Sequence, residues 1–240
     1  MKIEVYGTQN SVTEKDLKDK TVIVVDVLRA TSTIITALEN GCKEVIPVAE
    51  IDEAVSINRT IDNDTFLLGG ERNAVKIEGF HLSNSPLEYS QEVVKGQTVV
   101  ITTTNGTRAI KKAGNGARTY IGGFRNASAV GAKAAEEGDD LVIICAGTGG
   151  KFSTDDILTA GAIISKLLEL RTEAIQIDDL GQVCKFLYEY HKDDLWEALK
   201  DTHHCKVLMQ NGFEEDIRFC FSLDATDVVP FYRDGVIRKL

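Results

Sequence analysis

GQTVVITTTNGTRAIKKAG, residues 96–114, reads two ways, and the fold turns on which holds. Asn105-Gly106 is the strongest two-residue hairpin signal, because both residues accept positive φ. A hairpin needs a second alternating strand, however, and the residues after Gly106 do not alternate. Ala109, Ile110 and Ala113 share one helical face, and Gly114 is a natural stop. The segment therefore reads as strand, loop and helix. Thr102, Thr103, Thr104 and Thr107 then place four hydroxyls around a helix N-terminus, with Arg108 and free backbone N–H groups beside them. Such donors suit an oxyanion.

The same unit recurs along the chain. Strands are predicted at 2–6, 21–27, 44–48, 65–69, 97–102, 118–122 and 140–145. Helical patterns fall near 32–40, 51–60, 86–94, 105–113 and 126–137. TVIVVDV and DLVIICA are apolar on both faces, as strands of a parallel sheet covered on both sides are. From residue 154 the pattern is helical, and VVPFYRDGVIRKL closes the chain as a short β segment. The expected fold is one α/β domain over 1–240. It is a three-layer α/β/α arrangement with a mixed, largely parallel sheet and a helix-rich C-terminal third.

Composition narrows the function. The net charge is −10 and no basic stripe appears, which argues against nucleic acid. No segment approaches the ~18 continuous apolar residues of a membrane span, and MKIEVYGTQN lacks a secretory apolar core. Five cysteines, odd in number and without a CxxC pair, read as reduced thiols in a cytoplasmic protein. A homo-oligomer such as a dimer is compatible with all of this.

The residues just beyond each apolar strand are more informative. In open parallel sheets ligands gather at the carboxyl ends of strands, and five such ends carry glycine, hydroxyls, arginine or carboxylates. Asp26 interrupts a buried strand, where an unpaired carboxylate costs several kcal/mol. It calls for a metal or an arginine, and Arg29 and Arg72 are candidates. Ser85-Pro86-Leu87-Glu88 and Ser153-Thr154-Asp155-Asp156 also read as capping boxes, so these residues are caps or ligands. His203-His204 reads as surface. Two phosphatase signatures fail. Leu28 stands where the second carboxylate of an aspartyl-phosphate loop belongs, and Lys151 where a cysteine phosphatase needs arginine after Cys145. Cys145 reads instead as a packing residue.

Taken together, VDVLRATST, GGERN, GFHLSNSP, TTTNGT, CAGTGGKFSTDD and DIRFCFSLDATDVVP resemble the 2-phosphosulfolactate phosphatase family, in order, over about residues 21–230. The resemblance implies Mg²⁺-dependent hydrolysis of (R)-2-phospho-3-sulfolactate to 3-sulfolactate and phosphate, a step of coenzyme M biosynthesis. Chemistry then allots roles. Asp26, Arg29 and Arg72 are the catalytic candidates. Asp26, Glu71, Asp155 and Asp156 are the candidate Mg²⁺ ligands. The small anionic phosphate ester is expected to meet Thr31, Ser32, Asn84, Ser85, Thr103, Thr104, Asn105, Gly106, Thr107, Arg108, Arg125 and Lys151. Direct attack by water is favoured over a phosphoenzyme. Another small phosphorylated acid as substrate, or a non-catalytic anion sensor, remains an alternative.

Overall fold

Thr98–Thr102 forms a strand and Gly106–Ala113 a helix, so the strand–loop–helix reading of the opening segment holds. The computed structural model describes residues 1–58 and 65–240. Its strands are β1 (Lys2–Tyr6), β2 (Thr21–Val25), β3 (Glu44–Val48), β4 (Phe66–Arg72), β5 (Val75–Lys76), β6 (Thr98–Thr102), β7 (Arg118–Gly122), β8 (Leu141–Cys145), β9 (Gln176–Ile177), β10 (Pro230–Arg233) and β11 (Val236–Lys239). The helices are α1 (Glu14–Leu17), α2 (Ala30–Glu39), α3 (Ile51–Asn58), α4 (Gln91–Val94), α5 (Gly106–Ala113) and α6 (Ala127–Glu137). They continue as α7 (Thr154–Leu170), α8 (Asp179–His191), α9 (Leu195–Leu199), α10 (His203–Gln210) and α11 (Glu214–Cys220). The end of the predicted helix 51–60 lies outside the described residues.

The strands join one mixed sheet in the order β5-β4-β6-β3-β11-β10-β7-β2-β8-β1-β9. Two parallel blocks are visible, β4-β6-β3 and β7-β2-β8-β1-β9. The terminal hairpin β10–β11 sits between them and pairs antiparallel with both. Strands in the two blocks therefore run in opposite senses.

Alternation along the strands sorts side chains into layers. Val22 and Val24 of β2 share a core with Val45 of β3, Val99 of β6 and the helices α2 and α5. Ile23, Val25, Ile143 and Cys145 point the other way, against Val130 of α6 and Ile163 and Leu167 of α7. A smaller core joins Ala54 of α3 to Phe66, Leu68 and Val100. Helix α5 packs against β2 and β8 and also against β3. Three intervening strands would set β2 about 19 Å from β3 on a flat sheet. The sheet therefore curves around the middle helices.

The helix predicted over 86–94 is broken. Pro86–Glu88 is a 3₁₀ turn and α4 a single turn. The Glu88 carboxylate accepts from Ser83 N and Oγ at 2.6 and 2.7 Å, and the Tyr89 hydroxyl donates to Ser83 O at 2.7 Å. These bonds close the segment on itself, and Ser85 makes no side-chain cap bond. Ser153 likewise makes none at the start of α7. Among the described residues no helix is long and apolar enough to cross a membrane.

Candidate active site

Loops following β2, β4, β6 and β8 open into one pocket of about 340 Å³. Asp26 lies at its base, directly after β2, and is 7% exposed. The turn beneath it is tied down by the start of α2. Thr31 N donates to the Asp26 carbonyl at 2.9 Å, and Asp26 N donates to Thr31 Oγ1 at 3.2 Å. Ser32 Oγ donates to Val27 O at 2.7 Å. Thr31 and Ser32, expected to touch substrate, are fully buried and hold the turn instead. Burial pushes the Asp26 carboxyl up to about 7; a nearby His204 opposes this, while Asp155 and Glu71 add to it. Near neutral pH this group can take or give a proton.

Glu71 ends β4 and fastens the threonine loop. Its Oε1 accepts from Thr104 N and Oγ1 at 2.8 and 2.9 Å, and its Oε2 accepts from Ala74 N at 2.8 Å. Thr103 and Thr107 bond each other: Thr107 N donates to Thr103 Oγ1 at 3.1 Å, and Thr103 N to Thr107 Oγ1 at 3.2 Å. Thr107 is thus buried structure, while Thr103, Thr104 and Asn105 line the pocket. Gly106 differs from its expected role. A Cβ there would meet Ala30 Cβ at 2.5 Å and Asp26 Oδ2 at 2.6 Å, so its smallness admits Asp26 and α2.

The four acids expected to bind metal separate into two kinds. Asp26 and Glu71 line the pocket. Asp156 is a staple: Oδ1 accepts from Val27 N at 3.0 Å and Oδ2 from Gly147 N at 3.1 Å, joining the ends of β2 and β8. Asp155, fully buried, accepts the Ser153 hydroxyl on Oδ1 and lies 3.3 Å from His204 Nδ1 through Oδ2. Among the described residues no three His, Cys, Asp or Glu side chains stand together as a metal-holding group. The four therefore do not converge on one ion.

The cations are corrected most. Arg29 reaches the pocket, but its guanidinium pairs with Asp216 Oδ2 at 2.5 Å, donates to Ala74 O at 3.1 Å and stacks over Phe213 at 4.0 Å. It is not the partner of Asp26. Arg72 is spent on Glu71 O, Ala49 O and Thr102 Oγ1 at 2.8, 3.2 and 3.0 Å. Arg108 pairs with Glu50 at 2.8 Å at the surface, and Arg125 with Glu39 at 2.9 Å beneath α2. Lys151 is exposed, and none of these last four lines the pocket. Nonlocal acids, invisible to strand-end reasoning, claim Arg29, Arg108 and Arg125.

Asn84 and His204 complete the pocket wall. Asn84 is there as expected, whereas His204, which reads as surface in the sequence, faces the site beside the exposed His203. His204 Nδ1 lies 3.3 Å from Ser153 Oγ and 3.4 Å from Thr148 Oγ1 as well as near Asp155. Burial opposes its charged form, yet the Asp155 carboxylate outweighs that and the pKa is raised. The sequence signal for this position is its place four residues before buried Leu208, on the inward side of α10. Cys145 is fully buried, and burial pushes its thiol well above the usual range. A larger hollow of about 720 Å³ beside β10–β11 has its charges already paired, Arg118 and Lys133 both with Glu137.

Known proteins resemble this chain over nearly its whole length. A family model described as 2-phosphosulpholactate phosphatase matches residues 6–235. A protein of Caldanaerobacter subterraneus subsp. tengcongensis, called probable 2-phosphosulfolactate phosphatase, is 50% identical over 238 residues, covering 99% of this chain and 98% of its own length. A Clostridium tetani protein of the same name is 44% identical over 238 residues, covering 99% of this chain and all of its own length. One from Clostridium botulinum is 43% identical over 240 residues and covers both chains fully.

Proposed function

This chain belongs to the 2-phosphosulfolactate phosphatase family, and from that premise we propose that it hydrolyses (R)-2-phospho-3-sulfolactate to 3-sulfolactate and phosphate. The observation that carries the proposal is Asp26, a carboxyl with a pKa of about 7 in a pocket built from strand ends. A general base or acid works best when its pKa lies near the working pH.

Water in the pocket gives a proton to the Asp26 carboxylate as its oxygen attacks phosphorus. The bond from phosphorus to the substrate's C2 oxygen breaks, and that oxygen needs a proton. His204 supplies it, since Asp155 favours its imidazolium. Glu71 holds the threonine loop in place through both donors of Thr104, which leaves the Thr103 hydroxyl and Asn105 to face the ester. A dianionic phosphoryl group beside two carboxylates requires a cation, and the arginine in the pocket is already neutralised by Asp216. The Glu71 carboxylate would hold Mg²⁺, which takes one or two carboxylates with phosphate oxygens and water, while Asp26 beside it stays free as the base. Bound there, Mg²⁺ supplies charge neutralisation of the phosphoryl group. The step served would be that of coenzyme M biosynthesis.

The test is phosphate release from (R)-2-phospho-3-sulfolactate by the purified protein, with sulfolactate identified as co-product. Stoichiometric release is expected. Tight binding of the ester without turnover would replace the enzyme by a sensor.

A further inference from the structure

The outer face of α8 carries more apolar surface than a helix facing water needs. Val183, Phe186 and Tyr190 recur along it at helical spacing and are 50, 71 and 77% exposed. The helix is already seated by its other side. Cys184 is fully buried, and a Cβ on Gly161 of α7 would collide with its carbonyl. Phe152, 65% exposed, extends the stripe at one end. A Cβ built on Gly7 would lie 3.2 Å from Phe152 Cβ and 3.6 Å from Leu180 Cδ2, so Phe152 stands beside the first turn of α8. At the other end Tyr190 borders a hollow of about 250 Å³, shared with His191 and Ala198. An aromatic side chain offers about 150–250 Å² for burial. Three of them at two-thirds exposure or more make a patch of roughly 300–500 Å², a size at which exposed apolar surface marks an interaction site.

We propose that this face binds a second copy of the chain, about a two-fold axis crossing α8 between residues 186 and 187. A two-fold contact must be complementary to itself, and the stripe is. Run antiparallel, two copies of α8 set Val183 against Tyr190 and bring the two Phe186 rings together at the axis. Charge follows the same rule. Lys185 and Glu189 lie one turn apart on one flank, where they pair within the helix at 2.7 Å. The rotation lays Lys185 of each copy beside Glu189 of the other. On the opposite flank, Phe152 and Leu180 of each copy arrive over the hollow beside Tyr190 and Ala198 of the other. The aromatics of two copies together cover roughly 600–1,000 Å², and Val183 with the flanks brings the contact to the ~1,000 Å² of a specific interface. Binding a different protein would require none of this self-matching.

Sedimentation of the wild type at micromolar concentration should give twice the mass of one chain. Phe186→Glu brings a charge to the axis from each copy and should sediment as a single chain. Its helical circular dichroism should be retained, because the side chain at 186 is mostly in solvent. Lys185→Glu sets carboxylates against each other across the axis and should weaken the dimer about 10-fold. Adding Glu189→Lys restores opposite charges across the axis and should return the dissociation constant to that of the wild type. A wild type that stays single overturns the proposal and leaves the stripe to a different protein. A dimer that survives Phe186→Glu also overturns it, as does a double variant no tighter than Lys185→Glu alone.

Discussion

Asp26 serves chemistry at the expense of stability. Its carboxyl rises from 3.8 to about 7 through burial first, so the folded chain keeps a proton that the unfolded chain releases across that range. The stability tied to the protonated form is whole below about pH 4 and is lost as pH climbs towards 7. Chelated Asp26→Asn should therefore melt above wild type at pH 8, by on the order of a few kcal/mol, and level with it at pH 4. Turnover should fall about 10²- to 10⁴-fold. Paired thermal melts and assays check this, and a variant no more stable at pH 8 would remove the case for a strained base. His204 is shifted in the same direction, but there the favoured form is the charged one. Its raised pKa keeps the imidazolium up to higher pH, so Asp155→Asn should move the alkaline limb of the pH–rate profile downwards. An unmoved limb would mean that His204 is not the acid. Cys145→Ser should retain turnover within about threefold while losing ~1–3 kcal/mol by placing a hydroxyl in an apolar core. Loss of activity in a folded Cys145→Ser variant would restore the thiol as nucleophile.

The join of β2, α2 and α5 shows what an element can and cannot announce. Strand, loop and helix over 96–114 were legible because apolar period and stop signal are local. The use of Gly106 was not, because the atoms that require it belong to α2 and Asp26, about 80 residues away in the sequence. Thr103 and Thr107 look like ligands in the sequence and are partly a lock across one turn. Arg108 and Arg125 look like anion donors until Glu50 and Glu39 arrive from elsewhere. Gly106→Ala should lower melting temperature and turnover together, since its Cβ presses on both Ala30 and Asp26. Adding Ala30→Gly should restore part of the stability and little of the turnover, because the Asp26 contact persists. Recovery of both by the second change would show that the glycine matters only for packing.

At the scale of the molecule, the sheet brings two oppositely running blocks to one cleft, and the C-terminal third closes it. Asp216 of α11 reaches the loop after β2 through Arg29 and the loop before α4 through Ser85, so these parts of the chain share one carboxylate. The placement of β10–β11 between the blocks could not be read from sequence, since its partners lie more than 100 residues away in the sequence. The electrostatic consequence concerns the whole chain. With a net charge of −10 and Asp26 and Glu71 in the cleft, the folded state gathers negative charge where a phosphate ester must bind. A divalent cation that binds the folded state and not the unfolded one stabilises by about 2.7 kcal/mol at 100 times its Kd. For a chain of this size that corresponds to roughly 5–10 °C in Tm. Millimolar Mg²⁺ should therefore raise the melting temperature of chelated protein and restore turnover lost to EDTA. Glu71→Gln should flatten the thermal shift, a readout that does not depend on catalysis. If chelated wild type keeps full turnover and Mg²⁺ leaves its melting temperature unchanged, the metal has no place in the cleft, and another cation must offset the charge that Asp26 and Glu71 bring there.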